Sequence, residues 1–345
     1  MRNYLLSLDF VLLRSLGLGA AGGALLGLSG VPGGWIAGAM ITVAITALSG
    51  VEVKITPLLR NLGFLAVGIA MGSGVTPATV ARMPSWPITL VLVVLSIPLI
   101  VGAVMVFLTR IAKWDRATAL LSAMPGALSY LVALAPETGA NVPRVAILQT
   151  MRVAILVAIL PLAALWLAPN VPPAPVLPLV SLDHAILLYA AGVGGAVLAF
   201  LLRLPAGLLV GSLFISAILH GSGLVVGRPP NVIAIFGFVT LGTLVGTRFV
   251  GTSWRELLSV LGVSLTSFAI GASIAVAVAA IGSWVTGFPL LKLVIAFAPG
   301  GLEAMVVLAF AMDLDPAFVA AHHLVRFLLI ALATPFVIKA LKIRP

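Results

Sequence analysis

The stretch AFAPGGLEAM, residues 296–305, puts a proline, two glycines and a glutamate into an otherwise apolar run. In lipid, every backbone group freed by such a break needs a partner within the protein or water, so the meaning of the stretch depends on its solvent.

Composition sets that solvent. Of 345 residues, 62% are hydrophobic and only 8% charged, where an average soluble domain carries about a quarter. Mean hydropathy is +1.27. So few charges cannot cover a water-facing surface, and the chain is predicted to be an all-α polytopic membrane protein embedded in a lipid bilayer. Cysteine is absent, which excludes disulfides and thiolate metal sites. The +10 formal charge comes from Lys and Arg scattered singly between apolar runs, so no direct nucleic-acid partner is expected. At the N-terminus, Asp9 and Arg14 interrupt the apolar stretch too early for a signal-peptide core. Residues 4–12 are read as interfacial, with the first span starting near Arg14. Charges, prolines and glycines divide the remainder into twelve apolar segments, each near the ~20 residues of a spanning helix. About 10–12 membrane segments follow.

The chain also repeats itself. Pro125, Gly126, Leu128, Arg152 and Pro161 match Pro299, Gly300, Leu302, Arg326 and Pro335 at one offset (299 − 125 = 174). Gly63, Gly68 and Gly72 match Gly237, Gly242 and Gly246 at the same offset, while Pro32, Gly34 and Gly38 match Pro205, Gly207 and Gly211 at 173. Chance among Gly- and Ala-rich segments explains a few glycines, but not Pro-Gly breaks, arginines and prolines in one register. The reading is two homologous membrane repeats, 13–168 and 186–342, joined by a proline-rich linker, 169–185.

Loop charges give the relative orientation. Arg110, Lys113 and Arg116 make one loop of the first repeat basic, and its counterpart holds only Lys292. The loop after the third segment reverses this, with Arg82 against Arg248 and Arg255. That swap fits inverted repeats under the positive-inside rule. Inversion needs an odd number of crossings, so one of six segments must not cross, and the Pro-Gly segment is the candidate for a re-entrant hairpin. If both Pro-Gly segments cross fully, the repeats are parallel.

The breaks carry the functional expectation. MPGA and APGG each leave free N–H and C=O groups within the apolar span, and paired broken helices at matching positions point to a transport site. Helix N-termini there suit a carboxylate or other anion. A simple proline kink is the bland alternative for either break alone. The candidate binding residues are Pro125, Gly126, Ser129, Arg152, Pro299, Gly300, Gly301, Glu303, His322, His323 and Arg326. Glu303, whose counterpart is Ser129, is read either as a proton- or cation-binding group or as an arginine's partner, since an acid at membrane centre costs on the order of 3 kcal/mol. Arg152 and Arg326 are candidates for anion coordination, against snorkelling to the interface. His322 and His323 precede Arg326 by one helical turn and are read equally as a proton relay or as local hydrogen-bonding groups. Neighbouring histidines on a helix converge poorly on one ion, so no metal or other cofactor is expected. Asp315 and Asn141 read as helix caps, and the glycine series as close helix contacts.

The residues APGGLEAM…LDPAFVAAHHLVR, with their MPGALSYL…R echo, resemble the AbrB family of bacterial membrane proteins over roughly residues 13–342. The resemblance implies a multi-pass protein of the bacterial inner membrane with an internal duplication. The family is labelled both an ammonia monooxygenase and a regulator of gene expression, and is broadly similar to transporters with inverted repeats. A copper monooxygenase needs converging ligands, yet only His322 and His323 of the four histidines are close in sequence. A non-enzymatic secondary transporter of a small, anionic solute is therefore expected. A membrane sensor acting indirectly on gene expression is the alternative, and a membrane oxidase the third reading. The sequence leaves the oligomeric state open, a homo-oligomer included.

Overall fold

The computed structural model describes residues 2–75, 77–167, 178–341 and 343. It is a chain of fifteen α-helices among those residues: α1 (Arg2–Leu28), α2 (Gly34–Leu48), α3 (Pro57–Gly72), α4 (Pro77–Ala81), α5 (Trp86–Val106), α6 (Arg116–Ala123), α7 (Leu128–Leu134), α8 (Val142–Leu167), α9 (Leu182–Leu201), α10 (Gly207–Gly221), α11 (Asn231–Thr247), α12 (Trp254–Thr286), α13 (Leu290–Phe297), α14 (Leu302–Ala311) and α15 (Pro316–Ala340). A π-helical turn, Phe107–Ile111, extends α5. Among the described residues there is no β-strand, only an isolated bridge between Leu179 and Arg228. Six helices are long and apolar enough to cross a membrane, and five shorter ones are also apolar. The protein is an all-α polytopic membrane protein.

Local chemistry fixes the helix starts. Thr56 accepts the Leu59 N–H ahead of Pro57, Asp115 accepts the Thr118 N–H at 2.8 Å, and Asn141 accepts the Arg144 N–H at 3.1 Å. Each is a side-chain N-cap that occupies an otherwise orphaned donor. These starts recur along the chain: α3 and α11, α6 and α13, α7 and α14, and α8 and α15 each begin 174 residues apart (231 − 57 = 174), and α2 and α10 begin 173 apart (207 − 34 = 173). The first helix differs from expectation. It runs unbroken from Arg2, with its apolar stretch at Phe10–Leu28, because no residue between Asp9 and Arg14 breaks a helix. Of the proposed linker 169–185, residues 169–177 lie outside the described residues, and Leu182 already belongs to α9.

The chain forms two compact units, and neither is one half of the sequence. The first comprises Met1–Met83, Val157–Ser253 and Val306–Ala317. Within it α1 packs on α2, α9 on α10, and α3 and α11 against their neighbours. Backbones touch there through glycine. A Cβ on Gly38 would lie 2.0 Å from the Gly22 carbonyl oxygen, and one on Gly211 would lie 2.2 Å from that of Gly195. Only glycine allows such an approach. The series Gly63, Gly68 and Gly72 likewise lies against Thr240, Ser212 and Ser216.

The second unit comprises Pro84–Leu156, Trp254–Met305 and Phe318–Pro345. Its long helices α5 and α12 pack together, α6 lies on α5, and α13 lies on α12. Its Pro-Gly segments are hairpins. The Asn141 N–H donates to Thr118 Oγ1 at 2.8 Å, and the Arg144 guanidinium sits 5.3 Å from the Trp114 ring centroid. Residues just before α6 and at the start of α8 are therefore side by side. At an offset of 174, Phe288 and Phe318 meet with ring centroids 5.4 Å apart, joining the residue before α13 to the start of α15. With eight residues each, α6 and α13 are about 12 Å long, far short of the ~30 Å hydrocarbon core. The first hairpin is seated on a buried cluster that includes Leu121, Met124, Ala127, Leu131 and Ile330.

Candidate functional site

Every candidate residue named from the sequence lies in the second unit. At the first tip the chain leaves α6 with Met124 extended and turns through Pro125, Gly126 (φ 83°) and Ala127 (φ 56°). The second tip leaves α13 through Ala298 into Pro299, Gly300 and Gly301. The two tips meet. A Cβ on Gly126 would stand 3.4 Å from the Gly300 carbonyl oxygen and 3.6 Å from Arg326 Nη2. Side chains at Gly126 would be strained by the positive φ, while the space itself admits a Cβ at ordinary contact distance.

Arg152 and Arg326 pin the tips. Both are buried within their helices, 7% and 3% exposed, so neither snorkels. Arg326 Nη1 donates to the Ala298 carbonyl at 2.5 Å and Nη2 to that of Gly300 at 2.6 Å. Arg152 Nη2 donates to the Met124 carbonyl at 3.1 Å, and Nη1 to that of Ser122 at 3.4 Å. These acceptors lie at or just beyond the C-terminal ends of α6 and α13, so each guanidinium faces the negative end of a broken helix. That arrangement explains how a break survives away from water: the proline removes a helical bond and the arginine supplies the missing donors.

A second polar side chain completes each pin. Gln149 Nε2 donates to the Leu121 and Met124 carbonyls at 2.8 and 3.0 Å, and its Oε1 accepts from Arg152 Nη2. His323 Nε2 bonds the Ile295 carbonyl at 3.0 Å, and its Nδ1 meets Arg326 Nη2 at 2.7 Å. The positions agree at one offset: 323 − 149, 326 − 152, 295 − 121 and 298 − 124 all equal 174. A carbonyl can only accept and a guanidinium can only donate, so His323 acts here as a neutral Nε2–H imidazole, the chemical equivalent of the glutamine amide.

The remaining candidates divide. His322 turns away from Arg326. Its Nδ1 bonds the Phe318 carbonyl at 2.7 Å, its Nε2 bonds Thr89 Oγ1 at 2.8 Å, and its ring lies 4.0 Å from that of Phe318. Glu303 stands in the first turn of α14, where a helix dipole favours an acid. It is half-buried, and its Oε2 is 3.7 Å from the Cβ position of Gly301. Among the described residues it makes no hydrogen bond or ion pair, and it does not neutralise either arginine. Ser129 lies in α7, and its side chain is outside the described residues. Among the described residues no group of three His, Asp or Glu side chains is placed to hold a metal. Gln149 was not foreseen in the sequence. The signal was present, since it occupies the position of His323 in the register that aligns the arginines.

The tips also brace each other's helices. Gly300 packs on Leu156, and Gly301 faces Val153, both of α8. Conversely, Ile330 of α15 packs into the cluster under the first tip, Thr334 Oγ1 meets Met124 Sδ at 3.3 Å, and the Tyr130 hydroxyl donates to the Ala331 carbonyl at 3.4 Å. Leu156 and Ile330 are again 174 apart (330 − 156). Comparison with known proteins then places the chain. The family described as "Transition state regulatory protein AbrB" matches residues 35–342.

The chain belongs to the AbrB family.

Two known proteins are similar to it along most of their length. "Uncharacterized protein YhjN" of Bacillus subtilis (strain 168) is 28% identical over 352 aligned positions, covering 92% of this chain and 90% of its own. "Putative regulator AbrB" of Escherichia coli (strain K12) is 25% identical over 331, covering 88% and 89%.

Proposed function

We propose that this AbrB-family protein is a secondary transporter of the bacterial inner membrane that moves a small anionic solute. In this reading the chain is two inverted repeats, 13–168 and 186–342, and the Pro-Gly hairpins re-enter the membrane from opposite sides. The single observation that carries it is the meeting of two broken-helix tips, Gly126 against Gly300, each pinned by a buried arginine. Discontinuous helices that meet within the membrane, with backbone groups satisfied by protein, are how repeat-built transporters hold a solute. Two features support the inversion. The hairpins leave five crossings in each repeat, an odd number, and the basic loops change sides between repeats.

The roles divide as the contacts do. Arg152 and Arg326 hold the tips and set a positive field around them, while the first turns of α7 and α14 present unpaired N–H groups to the solute. Glu303 makes no hydrogen bond or ion pair among the described residues, and in this reading it carries the coupling proton or cation. His322 and His323 have both ring nitrogens engaged and serve as positioning residues. The proposed function is non-enzymatic.

The test is solute-driven current on solid-supported membranes, using proteoliposomes and a panel of small mono- and dicarboxylates. Glu303→Gln removes the charge and breaks no contact, so it should insert and melt as the parent does while its current falls to background. Undiminished current in Glu303→Gln would refute the site. Saturable binding of a panel member without current from any of them would favour a membrane regulator, the reading suggested by the name of the Escherichia coli relative.

A further inference from the structure

A small cavity in the second unit carries chemistry that the hairpin pins do not use. It is about 10 Å³, lies between α5, α6, α8 and α12, and has Pro299 among its lining residues. Its lining includes Ser122, Arg152, Ser264 and Ser267. In each of these one polar atom is buried without a hydrogen-bond partner among the described residues: the three hydroxyl oxygens and Arg152 Nε. All four residues are more than nine-tenths buried, at 0%, 7%, 3% and 5% exposed. Orphaned buried polar atoms are uncommon in proteins, and each costs about 1–3 kcal/mol, so four around one void call for an occupant.

The serines are unusual for this chain. Ser15, Ser96, Ser212 and Ser259 turn their hydroxyls onto the carbonyl three or four residues back in their own helix, the ordinary resting place for a serine in an apolar helix. Ser122, Ser264 and Ser267 do not. The register also singles the site out. At the offset of 174 that aligns α6 with α13, the counterpart of Ser122 is Ala296, which has no hydroxyl. The Ser122 hydroxyl therefore belongs to one hairpin of the pair and is not needed to pin a tip.

Charge selects the occupant. Arg152 Nε can only donate, and it belongs to a cation, which disfavours a metal ion. Neither Arg152 nor Arg326 has a carboxylate within ion-pair distance among the described residues. Water would satisfy the hydroxyls and leave the buried charge unbalanced, whereas an anion does both. A space of about 10 Å³ is close to that of one water-sized sphere, which suits a monatomic anion. We propose that this cavity is a binding site for one halide-sized inorganic anion, held by three serine O–H donors and the Nε–H of Arg152. It is a resident counter-ion site, separate from the tip contact where Arg152 uses Nη1 and Nη2.

The test uses the full-length protein in nanodiscs with chloride and bromide as probes. In the parent, chloride should broaden the chloride-35 NMR line and raise the melting temperature saturably over gluconate at equal ionic strength. Ser264→Ala with Ser267→Ala removes two donors and alters no hairpin residue. It should weaken chloride binding on the order of 100-fold, about tenfold per lost donor. Crystals of the parent grown in bromide should show an anomalous peak among Ser122, Ser264 and Ser267, a result that stands even where the double variant fails to fold. Chloride and gluconate acting alike on the parent would overturn the proposal, as would full chloride broadening in a folded double variant, or a cavity holding water without an anomalous peak. None of these readouts involves solute flux, so the site stands or falls apart from the transport reading.

Discussion

Replacing His323 separates a positioning role from a proton-carrying one. In the structure its ring does two things: Nε2 meets the Ile295 carbonyl at 3.0 Å, and Nδ1 meets Arg326 Nη2 at 2.7 Å. Gln149 does the same two things for Arg152 with an amide. His323→Gln should thus keep both contacts and cost less than about 1 kcal/mol, the net worth of one neutral hydrogen bond. His323→Leu fills similar space and loses both. One lost bond is neutral, about 0.5–1.5 kcal/mol, and the other is charge-assisted, about 1.5–3 kcal/mol, so the total is about 2–4.5 kcal/mol. Reversible unfolding in mixed micelles measures the difference, and hydrogen exchange across residues 295–301 localises it to the second tip. The reciprocal pair, Gln149→His and Gln149→Leu, should order the same way at the first tip. If the glutamine variant of His323 proved as unstable as the leucine variant, the equivalence of the two pins would be wrong. If it melted normally yet lost only the pH dependence of transport, His323 would be a proton carrier and not a positioning residue.

The other outcomes follow from named contacts. Arg326→Lys keeps the charge but replaces a fork on Ala298 and Gly300 with a single-point donor, so it should cost about 1.5–3 kcal/mol in the same unfolding assay. Gly38→Leu and Gly211→Leu drive a side chain into the carbonyls of Gly22 and Gly195; each should destabilise by about 1–3 kcal/mol or more, while Gly50→Ala, with open space at its Cβ, should cost only the strain of φ 78°. Asn141→Ala removes the cap on α8 and should cost about 1 kcal/mol in thermal melting.

What was legible in the sequence was whatever duplication preserved by letter. Pro125 and Pro299, Gly126 and Gly300, and Arg152 and Arg326 were paired by spacing, and the structure brings both tips and both arginines together. Gln149 escaped because its counterpart is a histidine: the two share a donor and an acceptor, not a residue type. That the Pro-Gly segments are hairpins was readable only as an option. An apolar run of this length looks the same whether it crosses or returns, and the deciding contacts, Thr118 with Asn141 and Phe288 with Phe318, depend on tertiary packing. The cavity serines were hidden for a similar reason, since a serine in an apolar helix usually bonds its own backbone. The division into two units was invisible because each draws segments from both halves of the chain.

The central claim is that the two hairpins enter the membrane from opposite faces and meet at their tips. The chain has no native cysteine, so side-specific labelling tests it directly. Arg116→Cys and Leu290→Cys mark the first residues of α6 and α13, are both exposed, and lie 174 apart (290 − 116). In oriented vesicles, a membrane-impermeant maleimide should reach one of them only from outside and the other only from inside. Labelling of both from the same face would contradict the account.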